Sequence, residues 1–345
     1  MEHYHTALVA EITAYAKNGP KKTIETLYFG GGTPSTYPLP LLLDTFAILN
    51  NEFIWSQNPE ITLEVNPGTV TEEHLKVWKN IGINRVSIGV QSFNEKALTD
   101  VNRHQKVADV KKLLDTIFSY ITNVSVDIIL GLPGVSAPDW KSMLAVLVAY
   151  PITHISMYIL EVHDTTQLFY KLKTGVLQLP NEEETIDLFY WTRDFLANNG
   201  FFSYEISNFA RRDMISKHNS CYWDRKPFIG FGLGAWSFDG ERRFQNEKNL
   251  MMYCKKALSH SNVIIEEERV LESQKKIEMI MLGLRRVNGV SYSLVVSGDE
   301  AEQKKRKVCV EALIQEGLMI RTGDDRLVLT PRGLIVENRI ASDII

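Results

Sequence analysis

Short apolar runs alternate with amphipathic stretches along the N-terminal half of the chain. Apolar residues between positions 4 and 15 recur at the three-and-four spacing of an amphipathic helix. An extended run at residues 26–29 then stops at three consecutive glycines, and a second helical stretch covers residues 39–53. The pattern predicts a helix, a strand, a glycine turn and a second helix.

The same alternation continues beyond this point. Apolar runs at residues 61–65, 85–90, 124–130 and 154–160 predict four more strands, and helical stretches at 72–80, 107–120 and 139–148 separate them. Strands that alternate with helices are typical of βαβ units around a parallel sheet. Five strands favour a partial barrel over a closed eight-stranded one. The predicted fold class is therefore α/β, with a partial (β/α) TIM-like barrel.

The βα rhythm breaks after residue 160, and the chain divides into three predicted parts. Residues 1–165 form the partial barrel, and residues 166–265 elaborate it with a helix at 182–198 and a loop that contains residues 218–223. Residues 266–345 predict a helix, an extended piece, a helix at 300–315, a hairpin and a final helix. A helix followed by a β-hairpin indicates a small winged-helix-like α+β domain.

Composition places the chain among folded proteins. Of its 345 residues, 44% are hydrophobic and 23% are charged, which are ordinary values for soluble globular proteins. The net charge of −4 lacks the basic excess that nucleic-acid binding usually requires, and we interpret the basic run at 304–307 as a solvated helix face. We find no export signal and no apolar stretch of membrane-spanning length. These features predict a cytoplasmic protein without a nucleic-acid partner.

The strongest local signal is Gly-Gly-Gly-Thr-Pro-Ser at residues 30–35, where a strand ends and a helix is about to begin. Glycines allow a sharp turn and leave backbone amides open to a ligand that carries carboxylate or phosphate groups. The segment matches neither the dinucleotide-binding GxGxxG motif nor a P-loop. A tight βα turn without a ligand explains the triplet equally well.

Polar residues on the following strands favour the ligand-binding interpretation. Glu64, Gln91 and Asp127 end or interrupt three successive predicted strands. The carboxyl ends of barrel strands face the active site, so these side chains are expected to converge there. A carboxylate inside a run as apolar as that around Asp127 is costly unless a partner or ligand compensates it. Backbone groups or Arg103 are the alternative partners for Asp127.

Six motifs occur in order along the chain. They are GGGTPS (30–35), EVNPG (64–68), SIGVQSF (87–93), GLPG (131–134), YEISNF (204–209) and LTPRGL (329–334). The ordered set resembles the radical S-adenosylmethionine proteins of the oxygen-independent coproporphyrinogen III dehydrogenase group, and the resemblance covers nearly the whole chain.

This resemblance implies a site for S-adenosylmethionine. Carried over by position, the cofactor contacts of the family fall on Gly31, Gly32, Thr33, Glu64, Gln91, Arg103 and Asp127. In the family, the glycine stretch holds the methionine part of the cofactor, while the polar residues address its ribose and carboxylate. The Asn-Arg-His-Gln segment around Arg103 is closer to the dehydrogenase branch of the group than to its other branch.

That other branch is the HemW heme chaperones, whose HNxxYW signature residues 218–223 match. His218 can ligate heme iron through a neutral ring nitrogen, and Tyr222 and Trp223 offer flat faces to a porphyrin. Asn219 completes the heme site that the resemblance implies. On composition alone, a turn-capping histidine with aromatic residues in the core is the alternative. For Cys221, burial is a more ordinary role than thiolate ligation.

The resemblance also implies a [4Fe–4S] cluster, which the family holds with the thiolates of an N-terminal CxxxCxxC motif. The cysteines of this chain are Cys221, Cys254 and Cys309, and their spacing cannot replace that motif. We therefore expect no cluster ligands, no catalytic residue and no cleavage of S-adenosylmethionine. An absent upstream segment is favoured over a member that has lost the motif, because loss of a first strand leaves the edge at residues 26–29 unpaired.

Three functions fit these residues. The favoured one is a HemW-like heme chaperone that binds heme near His218 and passes it to an acceptor hemoprotein. The second is an oxygen-independent coproporphyrinogen III dehydrogenase of porphyrin biosynthesis, and the third is a binding protein without a cluster. The sequence leaves the oligomeric state and the question of enzymatic activity open.

Overall fold

The computed structural model describes every residue from Met1 to Ile345. The first five strands of its main sheet are parallel and lie side by side in chain order. They are β1 (Thr23–Phe29), β2 (Ile54–Val65), β3 (Arg85–Gln91), β4 (Asn123–Leu130) and β5 (His154–Ile159). The helices that precede or connect them are α1 (Glu2–Ala16), α2 (Leu39–Glu52), α3 (Glu72–Asn80), α4 (Glu95–Asp100), α5 (Val107–Ile117) and α6 (Ala137–Ala149).

Each of these strands has an apolar face and a polar face, because side chains alternate along an extended backbone. In β3, Val86, Ile88 and Val90 belong to the apolar core that lies between the sheet and the helices. Arg85 and Ser87 alternate with them and line the interior of the curved sheet, which we call the lumen. The main core of 31 buried residues is therefore outside the lumen, and the lumen is left to polar side chains.

Two short antiparallel strands extend the sheet beyond β5. The chain continues through α7 (Gln167–Lys173), α8 (Glu182–Asn198), β6 (Phe202–Ser203) and β7 (Asn208–Ala210). The strand order β1-β2-β3-β4-β5-β7-β6 leaves β1 and β6 as the two edges, so the sheet curves without closing. This confirms the predicted α/β partial barrel.

A short helix, α9 (Lys217–Trp223), spans the gap between the two ends of the sheet. On one side, Thr26 Oγ1 of β1 lies 2.8 Å from His218 Nδ1. On the other side, Asn219 Nδ2 donates a hydrogen bond of 3.3 Å to the hydroxyl of Tyr204, in the turn between β6 and β7. The edge of β1 is thus covered by a helix instead of another strand.

The prediction of a loop at residues 218–223 is wrong. Ser216 caps a helix there, because its hydroxyl accepts a hydrogen bond of 3.2 Å from the backbone N–H of Asn219. Isolated helices this short are unstable in water, so the flanking contacts determine whether the segment is helical.

An antiparallel sheet that the sequence analysis did not predict follows α9. It has the order β10-β9-β8 and consists of β8 (Trp236–Phe238), β9 (Arg242–Asn246) and β10 (Ile264–Arg269), with α10 (Leu250–Leu258) between β9 and β10. Glu11 of α1 connects this region to the barrel. Its carboxylate accepts hydrogen bonds from the N–H of Gly232 at 2.9 Å, Asn246 Nδ2 at 2.6 Å and the Tyr253 hydroxyl at 2.5 Å.

The C-terminal region has its own core of 13 buried apolar residues. Its elements are α11 (Glu272–Leu284), β11 (Val290–Ser291), α12 (Tyr292–Val295), α13 (Glu300–Gln315), β12 (Met319–Arg321), β13 (Arg326–Leu329), α14 (Pro331–Ile335) and α15 (Glu337–Ile344). The helix-then-hairpin order matches the winged-helix-like prediction, whereas the proposed domain boundaries stay a prediction. No helix of the protein combines the length and apolarity needed to cross a membrane.

We expect Glu11→Ala to lower the free energy of unfolding by about 2–4 kcal/mol, because it leaves three enclosed donors without their acceptor. Glu2→Ala on the same helix is the matched control, since Glu2 is exposed. Urea denaturation followed by circular dichroism measures both. Equal stability of the two variants would contradict a structural role for the Glu11 carboxylate.

Candidate functional site

A cavity of about 790 Å³ lies at the carboxyl ends of the parallel strands. The structure brings six of the predicted cofactor residues to its wall, namely Gly32, Thr33, Glu64, Gln91, Arg103 and Asp127. Gly31 does not line the cavity itself but precedes Gly32 in the turn. Residues from the C-terminal region, Leu334, Ile335, Glu337 and Asn338, complete the wall opposite the barrel.

The glycine triplet is required by two different constraints. Gly31 and Gly32 have φ angles of 87° and 25°, in the left-handed region that residues with a side chain rarely adopt. Gly30 is limited by space, because a methyl group on it would lie 2.6 Å from the Tyr28 ring and 3.1 Å from Glu64 Oε1. The turn therefore lets a backbone segment approach both Tyr28 and Glu64 closely.

Gln91 occupies a strained position at the end of β3. Its φ is 60°, and the pairing with β4 shifts register between Gly89 and Gln91. A bulge of this kind redirects a side chain at a strand end, and such strain concentrates at functional sites. A methyl group on Gly89 would lie 3.1 Å from Gln91 Nε2 and 3.4 Å from Arg103 Nη1, so both side chains lie over the space that this glycine leaves open.

The two carboxylates of the site each accept a hydroxyl hydrogen bond. Tyr28 donates to Glu64 Oε1 at 2.8 Å, and the Ser87 hydroxyl lies 3.0 and 3.1 Å from the two oxygens of Asp127. Burial raises the pKa of Asp127 and the charge of Glu64 adds to this, whereas nearby hydroxyls and Arg85 oppose it.

Arg103 is not the partner of Asp127. Its side chain is exposed at the rim of the cavity, and Ser87 occupies the hydrogen-bonding position beside the carboxylate. The sequence alternative that paired Asp127 with Arg103 is therefore wrong. A hydroxyl partner costs no second buried charge, which explains why an apolar strand tolerates this carboxylate.

Glu60 of β2 fixes the start of α9. This buried carboxylate accepts hydrogen bonds from the backbone N–H of Lys217 at 3.0 Å and of His218 at 2.8 Å, and from the Ser216 hydroxyl at 3.3 Å. A negative charge at a helix N-terminus is favourable, and these free N–H groups need acceptors. The position of His218 is thereby determined by a residue of the barrel.

The His218 ring is held on three sides. Nδ1 is hydrogen-bonded to the Thr26 hydroxyl, and Nε2 lies 3.0 Å from the Tyr222 hydroxyl. The ring also stacks on Tyr28 at a centroid distance of 4.9 Å. Burial lowers the pKa of His218 and the charge of Arg85 adds to this, while Glu60 opposes it. The imidazole is therefore neutral at neutral pH, which is the form that binds metal ions.

A chain of hydrogen bonds connects Asn219 of α9 to the floor of the lumen. The Tyr204 hydroxyl accepts from Asn219 and lies 2.9 Å from His154 Nε2, and His154 Nδ1 lies 2.8 Å from the Ser125 hydroxyl. Burial lowers the pKa of His154 well below its usual value, and Arg85 adds to this effect. His154 is thus a neutral link between Ser125 and Tyr204.

The remaining aromatic residues of the motif face different surroundings. The Tyr222 ring packs against Phe228 at a centroid distance of 4.8 Å and is 41% exposed. Trp223 is half-buried, and its indole N–H is enclosed without an acceptor. Cys221 is half-buried. The structure thus places His218, Asn219 and Tyr222 in the wall of the lumen, whereas Trp223 and Cys221 do not line it.

The lumen contains a second cavity of about 270 Å³ behind α9. Three residues of α9, His218, Asn219 and Tyr222, form one wall. Both cavities share Glu64, Ser87, Asp127 and Tyr158 in their walls. Six of the predicted cofactor residues and three of the predicted heme residues therefore line two cavities that share part of their polar walls.

Sequence reasoning missed the lumen residues Arg85, His154 and Tyr204. Each was visible as a polar residue at the beginning of an apolar run or inside a quoted motif. The same argument that selected Asp127, a costly polar group among apolar neighbours, applies to Arg85 and could have identified it.

The donors needed for an iron–sulfur cluster are not brought together. Cys221, Cys254 and Cys309 lie in α9, α10 and α13, and no group of three His, Cys, Asp or Glu side chains in the chain is arranged to hold a metal ion. The residues present do not fit a [4Fe–4S] cluster, whereas the glycine turn and polar strand ends fit a ligand such as S-adenosylmethionine.

Residues 2–147, which include the predicted strand-end cofactor residues, match the family model of the radical SAM superfamily. The solved structure of coproporphyrinogen III oxidase (HemN) from Escherichia coli, described as a radical SAM enzyme, superposes with a TM-score of 0.83 over 99% of this chain and 82% of that chain. At 21% identity, this likeness shows the fold alone.

Sequence relatives identify the branch. The heme chaperone HemW of Synechocystis sp. is 32% identical over 337 residues, which are 97% of this chain and 81% of the relative. HemW of Lactococcus lactis is 33% identical over 92% of this chain and 83% of the relative, and HemW of Bacillus subtilis is 29% identical over 99% and 90%. The chain belongs to the HemW family.

The neutral His154 predicts a pH dependence of stability. The folded state binds fewer protons than the unfolded state once the pH falls below about 6.5, the pKa of an unperturbed histidine, so acidification favours unfolding. Between about pH 7.5 and pH 5.5, the free energy of unfolding should fall by about 1 kcal/mol less in His154→Gln than in the wild type. Chemical denaturation at the two pH values measures it. His163→Gln, at an exposed histidine, is the control, and an equal effect there would contradict the assignment.

Proposed function

We propose that this chain is a heme chaperone that binds heme at α9 and passes it to an acceptor hemoprotein. The observation that carries the proposal is the placement of the HNxxYW residues on an anchored helix, with the neutral His218 ring beside the partly exposed Tyr222. Membership of the HemW family supports it, since the relatives are named heme chaperones.

Heme is the cargo of this proposal, and His218 is its proposed iron ligand. Nδ1 is bonded to the barrel through Thr26, whereas Nε2 is bonded only to the Tyr222 hydroxyl of the same helix. Release of Tyr222 therefore frees Nε2 while Thr26 keeps the ring oriented. Asn219 attaches the helix to Tyr204, and Trp223, which follows Tyr222 in α9, is the remaining proposed heme residue.

We assign S-adenosylmethionine to the larger cavity, with Gly31, Gly32, Thr33, Glu64, Gln91, Arg103 and Asp127 as its proposed contacts. When bound, this cofactor supplies a sulfonium cation, an aminocarboxylate and a ribose for recognition. The open backbone amides of the glycine turn suit its carboxylate, and the Glu64 and Asp127 carboxylates suit its cationic and hydroxyl groups.

The alternatives receive less support. The sequence around Arg103 favours coproporphyrinogen III dehydrogenase activity, but the likeness to HemN extends to the fold alone. These 345 residues do not provide the ligands of a cluster. A cytoplasmic location stays a prediction.

Titration with hemin tests the heme proposal. We expect a Soret shift for the wild type and, for His218→Ala, an affinity about tenfold lower together with an altered spectrum, because the iron loses a protein ligand. Tyr222→Phe should instead strengthen binding, since it frees Nε2 and keeps the ring. His3→Ala, at an exposed histidine of α1, is the control. A wild type that gives no Soret shift would exclude the function.

A substitution that fills the space above Gly89 tests the cofactor proposal. Gly89→Ala should weaken S-adenosylmethionine binding about tenfold in isothermal titration calorimetry, because the methyl group displaces Gln91 and Arg103. Gly68→Ala is the matched control, since a methyl group there meets no atom closer than 3.6 Å. Unchanged affinity in Gly89→Ala would argue against cofactor binding over this glycine.

A further inference from the structure

Arg85 is a buried cation without a partner. Only 3% of the residue is exposed, and Nε is fully enclosed without a hydrogen-bond acceptor. The guanidinium carries five N–H donors and keeps its charge at all physiological pH values. A buried charge that is neither paired nor hydrogen-bonded costs several kcal/mol, so an Arg in this position calls for a compensating anion.

The carboxylates of the lumen do not pair with Arg85. Glu64 is bonded to Tyr28, and Asp127 to Ser87, while neither forms an ion pair with the guanidinium. The neighbouring His154 has both ring nitrogens bonded and carries no negative charge. Arg85 therefore lines the 270 Å³ cavity without an ion-pair partner.

This cavity suits part of a ligand. Pockets that enclose a whole drug-sized molecule measure about 300–1,000 Å³, and the volume of this cavity, about 270 Å³, lies just below that range. It has room for a short side chain that ends in a charged group. The planar fork of a guanidinium matches the two oxygens of a carboxylate in a bidentate contact.

The wall of the cavity indicates which molecule brings the carboxylate. His218 and Tyr222 of α9 form the side opposite the strands, and Tyr222 reaches from the lumen to the surface with 41% of its area exposed. A porphyrin at α9 carries propionate side chains of suitable length. The larger cavity, which shares Glu64 and Asp127 with the lumen, is the other possible origin of a carboxylate.

We propose that Arg85 forms a carboxylate-binding site inside the barrel and that its ligand is a propionate group of the porphyrin bound at α9. The choice of porphyrin rests on the proposed function. The aminocarboxylate of S-adenosylmethionine presents the same chemistry from the larger cavity, so the experiment must distinguish the two sources.

The test compares hemin, hemin dimethyl ester and S-adenosylmethionine as ligands. Wild-type protein should bind hemin about tenfold or more tightly than the ester, because esterification removes the charge that Arg85 recognises. Arg85→Met should lose this preference through weaker hemin binding, with ester and S-adenosylmethionine affinities unchanged. Arg85→Lys keeps the charge without the fork and should regain part of the preference.

A matched control is available in Arg193→Met. Arg193 of α8 is half-buried and also has one enclosed guanidinium nitrogen without a partner, but it does not line either cavity. The Arg193→Met variant should bind all three ligands with the affinity of the wild type. Circular dichroism and thermal unfolding verify that each variant is folded, and replacement of a buried charge by an apolar side chain of similar volume often preserves stability.

The outcomes separate the proposals. If Arg85→Met weakens S-adenosylmethionine binding and leaves the porphyrin preference intact, the carboxylate site stands but the porphyrin assignment is wrong. If no affinity changes, Arg85 binds no ligand carboxylate and the inference is overturned. If the wild type binds neither porphyrin, the chaperone function fails, and the S-adenosylmethionine measurement alone then decides the Arg85 site.

Discussion

The polar lumen is the constraint on which the rest of the structure depends. Alternation along the parallel strands sends apolar side chains outward to the helices and polar ones inward, so the barrel interior must be satisfied by hydrogen bonds or by ligands. Tyr28 with Glu64, Ser87 with Asp127, and His154 with Ser125 and Tyr204 are such pairs. Burial of the outward apolar side chains thus stabilises the fold, while the inward positions are available for polar residues that bind ligands.

The helix α9 combines closure of the barrel with the signature residues of the family. Glu60 fixes its first turn, and Thr26 and Tyr204 attach it to opposite ends of the sheet. His218 and Asn219 make these attachments, so the same two side chains shape the lumen wall and form the proposed heme site. Variants of either residue therefore need a stability measurement beside every binding measurement.

Much of this architecture was predictable, because strand alternation and glycine turns are local patterns. The five parallel strands and the strand-end residues Glu64, Gln91 and Asp127 follow from them. The helical state of residues 218–223 does not, because it depends on contacts such as Thr26 with His218, which are 192 positions apart. The sequence likewise does not show that Arg85 lacks an ion-pair partner, since only the folded chain shows that the neighbouring carboxylates accept hydrogen bonds from other residues.

The C-terminal helices α14 and α15 contribute Leu334, Ile335, Glu337 and Asn338 to the wall of the larger cavity. Any molecule that fills this cavity touches the barrel and the C-terminal region together. By thermodynamic reciprocity, such a ligand strengthens the association of the two regions by the same factor by which their association strengthens its own binding. A partner protein on the outer face of the C-terminal region would change the occupancy of the cavity only if its own binding changed this association.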